Sequence, residues 1–317
     1  MRRAGIVAAL VTIGLVACSS ESDRVRARPK PTESTPTVTA GTAAATDEQI
    51  EFGALTRTYH VYQPASLPTN EPVPLVLVLH GGFGTGATAE QQGRWDQQAE
   101  KGGFLAVFPD GTNRAWNAGI CCGPPARTGT DDVGFLLAVL DEVAATFDVD
   151  PDRVFATGIS NGGMMAYRLG CEASERFAAI APVAATVTSP GCAPATPVSL
   201  LHIHGLADQN VPFGGGLPTR AFQPNPPTYE PVRDGIAAFV SADGCSDDPE
   251  HSEDGKVVTE QWTVCESGST VELVTISDGG HSWPGGKRLN AALDPPSKAF
   301  DATPEIRQFF EDHPRQR

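Results

Sequence analysis

From Arg57 onward, short runs rich in Val, Ile, Leu and Phe alternate with stretches of helical periodicity. That alternation restricts the chain to an α/β architecture, a mostly parallel central sheet with helices on both faces. Strands are predicted at residues 58–63, 75–79, 105–108, 154–158, 178–182, 199–204 and 271–276. Helices are predicted at 89–101, 131–147, 161–169, 232–241 and 304–312. The second helix opens on Asp131 and Asp132, whose carboxylates can cap free amides and oppose the positive end of the helix dipole. Its Phe135, Leu136, Val139, Leu140 and Val143 then recur at core-facing spacing. The chain has 317 residues and is 40% hydrophobic, enough apolar material to offset the entropy of ordering it.

Directly after the fourth predicted strand, Gly158-Ile159-Ser160-Asn161-Gly162 fits G-x-S-x-G between a strand and a helix. Such a turn strains the serine backbone, and strand and helix approach only if the residues two before and two after lack side chains. Gly158 and Gly162 meet that need. A serine hydroxyl is a weak nucleophile at neutral pH, so it requires a base and a carboxylate to orient the base. In this architecture the order along the chain is serine, acid, histidine. Of the histidines after Ser160, His202 and His204 fall in a strand, His251 in a charged insert and His313 at the chain's end. His281 lies in a glycine-rich loop after the last strand and is the expected general base. Asp208 follows the sixth strand and is the expected acid, ahead of Glu172, Glu175 and Asp234, which fall on or beside helices. The loop His80-Gly81-Gly82-Phe83 stands where an oxyanion hole belongs, with donors expected from the amides of Asn161 and of Gly82 or Phe83.

Taken together, the strings LHGGFGTGA, WNAGICCG, DDVGF, GISNGG, HIHGLAD and GGHSWPG resemble the polyhydroxybutyrate depolymerase and feruloyl or acetylxylan esterase group of α/β-hydrolases, lipoprotein members included. The likeness spans about residues 57–310. It implies the α/β-hydrolase fold and a serine esterase that needs no cofactor, with that group's serine, aspartate and histidine falling on Ser160, Asp208 and His281. The expected partner is an ester substrate, polymeric in some members. None of these strings encodes its acid or alcohol moiety. Two other readings share the fold: a peptidase-like acyl hydrolase, and a surface-binding lipoprotein without activity.

Six cysteines follow Cys18, an even number that in an oxidising compartment suggests three disulfides. Loop lengths favour Cys171 with Cys192 and Cys245 with Cys265. Cys121 and Cys122 are left as a vicinal bridge, with free thiols or pairings elsewhere as the alternatives. Cys121 and Cys122 lack zinc-site spacing, so no metal is expected. His202 and His204 point to one face of a strand, one expected to support the acid loop and the other to pack. Trp116, Trp283, Phe213 and Tyr229 are candidates for an aromatic substrate-binding surface. A loop at 214–231 carries five prolines and is expected to line the cleft.

The chain begins with Arg2 and Arg3, then an apolar run at 4–17 too short to cross a bilayer as a mature helix. Leu15-Val16-Ala17-Cys18 resembles a lipobox, so residues 1–17 are expected to be a signal peptide and Cys18 a lipidated N-terminus. Residues 18–47, rich in Ser, Thr, Pro and Ala, are expected to be a linker, and the hydrolase domain to occupy 48–317. The expected location is outside the cell, secreted or held at the membrane only through the lipid. With 38 acidic against 23 basic residues the formal charge is −15, which repels phosphate backbones and argues against nucleic acid as a partner.

Overall fold

The computed structural model describes residues 42–222, 224–246, 248–266, 268–289 and 293–316. The expected signal segment, Cys18 and the linker up to residue 41 lie outside the described residues. In chain order the elements are β1 (Ala44–Phe52), β2 (Leu55–Gln63), β3 (Val73–Leu79), α1 (Gly86–Gly93), α2 (Trp95–Gly102), β4 (Leu105–Pro109), α3 (Gly123–Thr128), α4 (Asp132–Thr146), β5 (Val149–Ile159), α5 (Asn161–Glu172), β6 (Ala179–Val183), β7 (Ser199–Gly205), α6 (Val232–Ala242), β8 (Glu250–Asp254), β9 (Val257–Trp262), β10 (Val271–Ile276) and α7 (Ala302–Asp312).

The strands form one sheet in the order β1-β2-β4-β3-β5-β6-β7-β10-β9-β8. Neighbours from β4 to β10 pair in parallel, and antiparallel strands close both edges. Strand alternation divides the core between the two faces. Leu75, Leu77 and Leu79 of β3 pack with Phe135, Leu136 and Val139 of α4 and Met164 of α5. Val76 and Val78 point the other way, into a cluster with Trp95, Phe108, Phe155 and Phe310. Asp131 caps α4 by accepting the Gly134 N–H at 2.9 Å. Asp132 is buried and paired with Arg57 at 2.9 Å.

The hairpin of β8 and β9 was not predicted, its residues lying in the charged insert around His251, and β5 begins at Val149, ahead of the predicted 154. Three further differences each have a local reason. β1 begins at Ala44, inside the stretch expected to be linker, so the ordered domain starts before residue 48. Its residues are almost all exposed and it is held by its ladder with β2, so no apolar pattern marks it. The single helix expected at 89–101 is two, because Arg94 takes a left-handed conformation (φ 56°) that ends α1 and lets Trp95 turn fully into the core. α3 was hidden by Pro124 and Pro125, which suit a first helical turn although they break a helix interior.

All three pairings of the six cysteines are present: Cys171–Cys192, Cys245–Cys265 and the vicinal Cys121–Cys122. The first two close loops of about 20 residues, worth about 3 kcal/mol each in the chain-entropy account.

Candidate active site

The site is assembled at the carboxyl ends of β3, β5, β7 and β10. At the end of β5, Ser160 has φ 56° and ψ −123°, a strained conformation for a residue with a side chain. The strain is held by backbone bonds: Ser160 N–H donates to Val183 O at 2.9 Å, and Met164 N–H donates to Ser160 O at 2.8 Å. A Cβ on Gly158 would come within 2.6 Å of the Leu79 carbonyl oxygen, and one on Gly162 would collide with the carbonyls of Leu79 and His80. Only glycine lets β5, α5 and β3 meet here.

His281, 2% exposed, stands five residues beyond β10. Its Nε2 lies 2.9 Å from Ser160 Oγ and its Nδ1 2.7 Å from Asp208 Oδ2. A carboxylate only accepts, so Nδ1 carries the proton and Nε2 is left to accept the serine hydroxyl. Asp208, three residues past β7, also receives the N–H groups of Asn210 (2.8 Å) and Val211 (2.9 Å) on Oδ1. Burial alone would raise the Asp208 carboxyl, but the His281 imidazole and these donors outweigh it and hold the group below the usual carboxylate range. The acid and base loops touch through backbone, Ala207 N–H donating to Gly279 O at 2.9 Å.

The loop after β3 separates the two candidate oxyanion donors. Phe83, at φ 65°, gives its N–H to the Arg114 carbonyl at 2.7 Å, so that amide is committed and the expectation for Phe83 is corrected. Among the described residues no partner takes the Gly82 N–H, and Asn161 N–H is the first of α5, a position without an intrahelical acceptor. The Asn161 side chain is occupied elsewhere, accepting Trp116 N–H at 2.7 Å and donating to Trp116 O at 3.0 Å.

The aromatic candidates divide. Trp116 is fully buried and its Nε1 donates to His80 O at 2.9 Å, so it braces the loop and presents no surface to a ligand. Trp283 is buried edge-on to Trp95 with its Nε1 donating to Thr303 Oγ1 at 2.9 Å. Phe213 packs edge-on against His204 at 5.6 Å. None of the three lines the cleft, because each ring has a core partner that claims its face. The fourth candidate, Tyr229, does line the cleft, together with Phe83 and Phe222. Phe222, from the proline-rich loop, sits 5.8 Å from the His281 ring. The cleft has a volume of about 660 Å³ and includes Ser160 and His281 among its lining residues.

Two supports stand behind the triad: Asp294, which had no signature in the sequence, and the His202–His204 pair, of which one was expected to support the acid loop. Asp294 accepts the His281 N–H at 2.8 Å and, through its other oxygen, Arg220 Nη1 at 2.8 Å. Behind the acid runs a buried column: Tyr167 O–H to His202 Nδ1 at 2.7 Å, His202 Nε2 to His204 Nδ1 at 3.0 Å, and His204 Nε2 to Val211 O at 2.9 Å. Since Val211 O only accepts, the protons run in one direction along it. Burial depresses both imidazoles, His202 strongly, and keeps the column neutral. The His pair is thus a brace for the Asp208–Val211 turn. Among the described residues no group of three or more metal-ligating side chains is gathered.

Residues 125–191 match the model of the prolyl oligopeptidase family. The chain is 30% identical to "Feruloyl esterase B" of Piromyces equi over 71% of its length, but it spans only 42% of that protein. It is 31% identical to "Putative esterase NocK" of Nocardia uniformis subsp. tsuyamanensis over 90% of both chains. The chain belongs to the esterase family of NocK. As a member of this esterase family it is a carboxylic ester hydrolase of the serine hydrolase class, and its fold is the α/β-hydrolase fold. An acetyl xylan esterase from Aspergillus awamori has the same fold, with a TM-score of 0.58 over 84% of this chain and 99% of the other at 14% identity.

Proposed function

We propose that the protein is an exported serine esterase that cleaves feruloyl, acetyl or hydroxyalkanoate esters through a covalent acyl-enzyme. The observation that carries this reading is the position of His281, hydrogen-bonded to Ser160 by one ring nitrogen and to Asp208 by the other. Ser160 Oγ bonds to the ester carbonyl carbon while its proton passes to His281 Nε2. The oxyanion is received by the N–H groups of Gly82 and Asn161, each worth roughly 3–4 kcal/mol in such sites. Collapse breaks the ester C–O bond, and the departing alcohol takes the proton from His281. Water then attacks the acyl-serine with His281 again as base, releasing the acid and restoring Ser160. Throughout, Asp208 holds the tautomer and stabilises the imidazolium.

The names of the relatives support feruloyl and acetyl esters as substrates, and the resemblance to the polyhydroxybutyrate depolymerase group brings in hydroxyalkanoates. Export is supported by the Arg2-Arg3 and apolar leader and by three disulfides, which persist in oxidising compartments. Lipidation at Cys18 would retain the enzyme at the membrane.

A second reading, a peptidase, is favoured by the prolyl oligopeptidase match. That match covers the serine turn and stops before Asp208 and His281, so it reports the part that acyl hydrolases of this fold share. The test is hydrolysis of p-nitrophenyl butyrate and of a matched peptide nitroanilide by the purified protein and by Ser160→Ala. Ester cleavage that falls by at least about 10⁴-fold in the variant is expected. Equal rates for the two proteins would remove the serine mechanism. Cleavage of the anilide alone would favour the peptidase, and no activity on any ester the binding lipoprotein.

A further inference from the structure

Among the described residues eight arginines reach a carboxylate, and Arg288 and Arg315 reach backbone carbonyls. Arg114 and Arg127 are different. Among the described residues neither meets an Asp or Glu, and both line the cleft that contains Ser160 and His281. No carboxylate lines that cleft among the described residues. Arg114 is held in place from both ends, its carbonyl accepting Phe83 N–H at 2.7 Å and its Nε turned to Gly84 O at 3.3 Å. Arg127 stands on α3, beside the Cys122–Pro124 wall of the cleft.

A formal charge of −15 gives the molecule a surface that repels anions, yet beyond about 8–10 Å that field is screened. Among the described lining residues Arg114 and Arg127 are the ones that carry a permanent charge, which biases the cleft toward anions. Guanidinium presents a planar fork of donors that matches a carboxylate, and it binds one better than an ammonium does. The rest of the described lining mixes uncharged polar groups such as Asn113 and Asn210 with an apolar stretch of Pro218, Pro224, Pro226, Phe222 and Tyr229. The cleft therefore combines a surface for a carbon chain or ring with a place for a negative charge.

We propose that Arg114 and Arg127 form an anion subsite and that the preferred substrates are esters carrying a second, free carboxylate, such as hemi-esters of dicarboxylic acids and oligoesters that end in an acid. This rests on the serine esterase reading and adds the substrate class to it. The carboxylate is held at the arginines while the carbon chain lies on the proline-rich wall and Ser160 attacks the ester carbonyl.

The test compares two matched pairs of esters. One pair, p-nitrophenyl hemiadipate and p-nitrophenyl hexanoate, places the charge on the acyl side. The other, 4-acetoxybenzoate and phenyl acetate, places it on the alcohol side. The expected result is a higher kcat/KM for the anionic member of at least one pair at low salt, a preference that shrinks as ionic strength rises. Arg114→Gln and Arg127→Gln each lower that preference by about fivefold through KM, as loss of a solvent-exposed ion pair would, and Arg127→Lys keeps most of it. No preference in either pair, or a preference that both glutamine variants leave unmoved, overturns the anion subsite. Continued cleavage of the neutral esters, abolished by Ser160→Ala, would then leave the esterase reading intact. Failure of the wild-type protein to cleave any of the four would overturn both.

Discussion

The backbone N–H of Phe83 donates to the carbonyl of Arg114 at 2.7 Å, and this one bond leaves Gly82 and Asn161 as the proposed oxyanion donors. Gly82→Pro, which deletes an N–H, is expected to lower kcat by about 10²–10³-fold with a small change in KM. Gly82→Ala keeps the donor and adds a Cβ that meets nothing within 4 Å, so most of the rate survives. Steady-state kinetics on a soluble nitrophenyl ester decides between them; equal losses would show that crowding, and not the amide, matters at this position.

Gly162 gives the opposite contrast. A methyl group there runs into the backbone carbonyls of Leu79, the last residue of β3, and of His80 just after it, which cannot swing aside as a side chain could. Gly162→Ala is expected to cost about 3 kcal/mol, which for a domain of this size lowers Tm by roughly 6–12 °C. A melting temperature within 2 °C of wild type, about the shift of a single kcal/mol, would contradict the packing derived for the serine turn.

Asp294 joins the base loop to the proline-rich loop by accepting from both His281 N–H and Arg220. Asp294→Ala is expected to reduce kcat by about tenfold while KM changes less, because a misplaced base loses rate before it loses binding. Arg220→Gln should act through the same contact, so the double variant loses less than the product of the single losses. Full additivity in that cycle would separate the two residues.

Glu272, on β10, is pushed up to about 7 by burial, by the nearby Glu305 charge and against a weak opposing bond from Gln261. A carboxyl raised in the folded state is protonated there at pH values where the unfolded chain has lost the proton. Its ionisation therefore costs nothing below about pH 4, and the cost grows as pH rises to about 7. Glu272→Gln is expected to raise the unfolding free energy at pH 8 by about 2 kcal/mol and to leave it unchanged at pH 4. Urea melts at the two pH values check the sign; equal gains at both would place the effect in packing.

Much of this site was legible because parallel α/β sheets place chemistry at strand ends, and strand ends can be counted in a sequence. Ser160, Asp208 and His281 each follow a predicted strand, and the structure brings them within hydrogen-bonding distance. The misses share a different cause. Trp116, Trp283 and Phe213 carry the residue types of a binding surface, but whether a ring faces ligand or core depends on partners far along the chain, such as Thr303 for Trp283. Asp294 was invisible for the same reason, since its partners His281 and Arg220 are 13 and 74 residues away. β1 escaped notice because edge pairing needs no apolar alternation, and α3 because its prolines read as punctuation.

The Arg220 bridge also bears on how this scaffold can diversify. The segment at 214–231 walls the cleft, yet its Arg220 carbonyl accepts Asn210 Nδ2 at 2.6 Å while its guanidinium grips Asp294, so it is fastened to both the acid turn and the base turn. A graft that exchanges this segment to change selectivity carries off the fastening as well. New specificity on this framework must be inherited as a set of three loops, a recipient that takes only one being left with a wider cleft and a wandering imidazole.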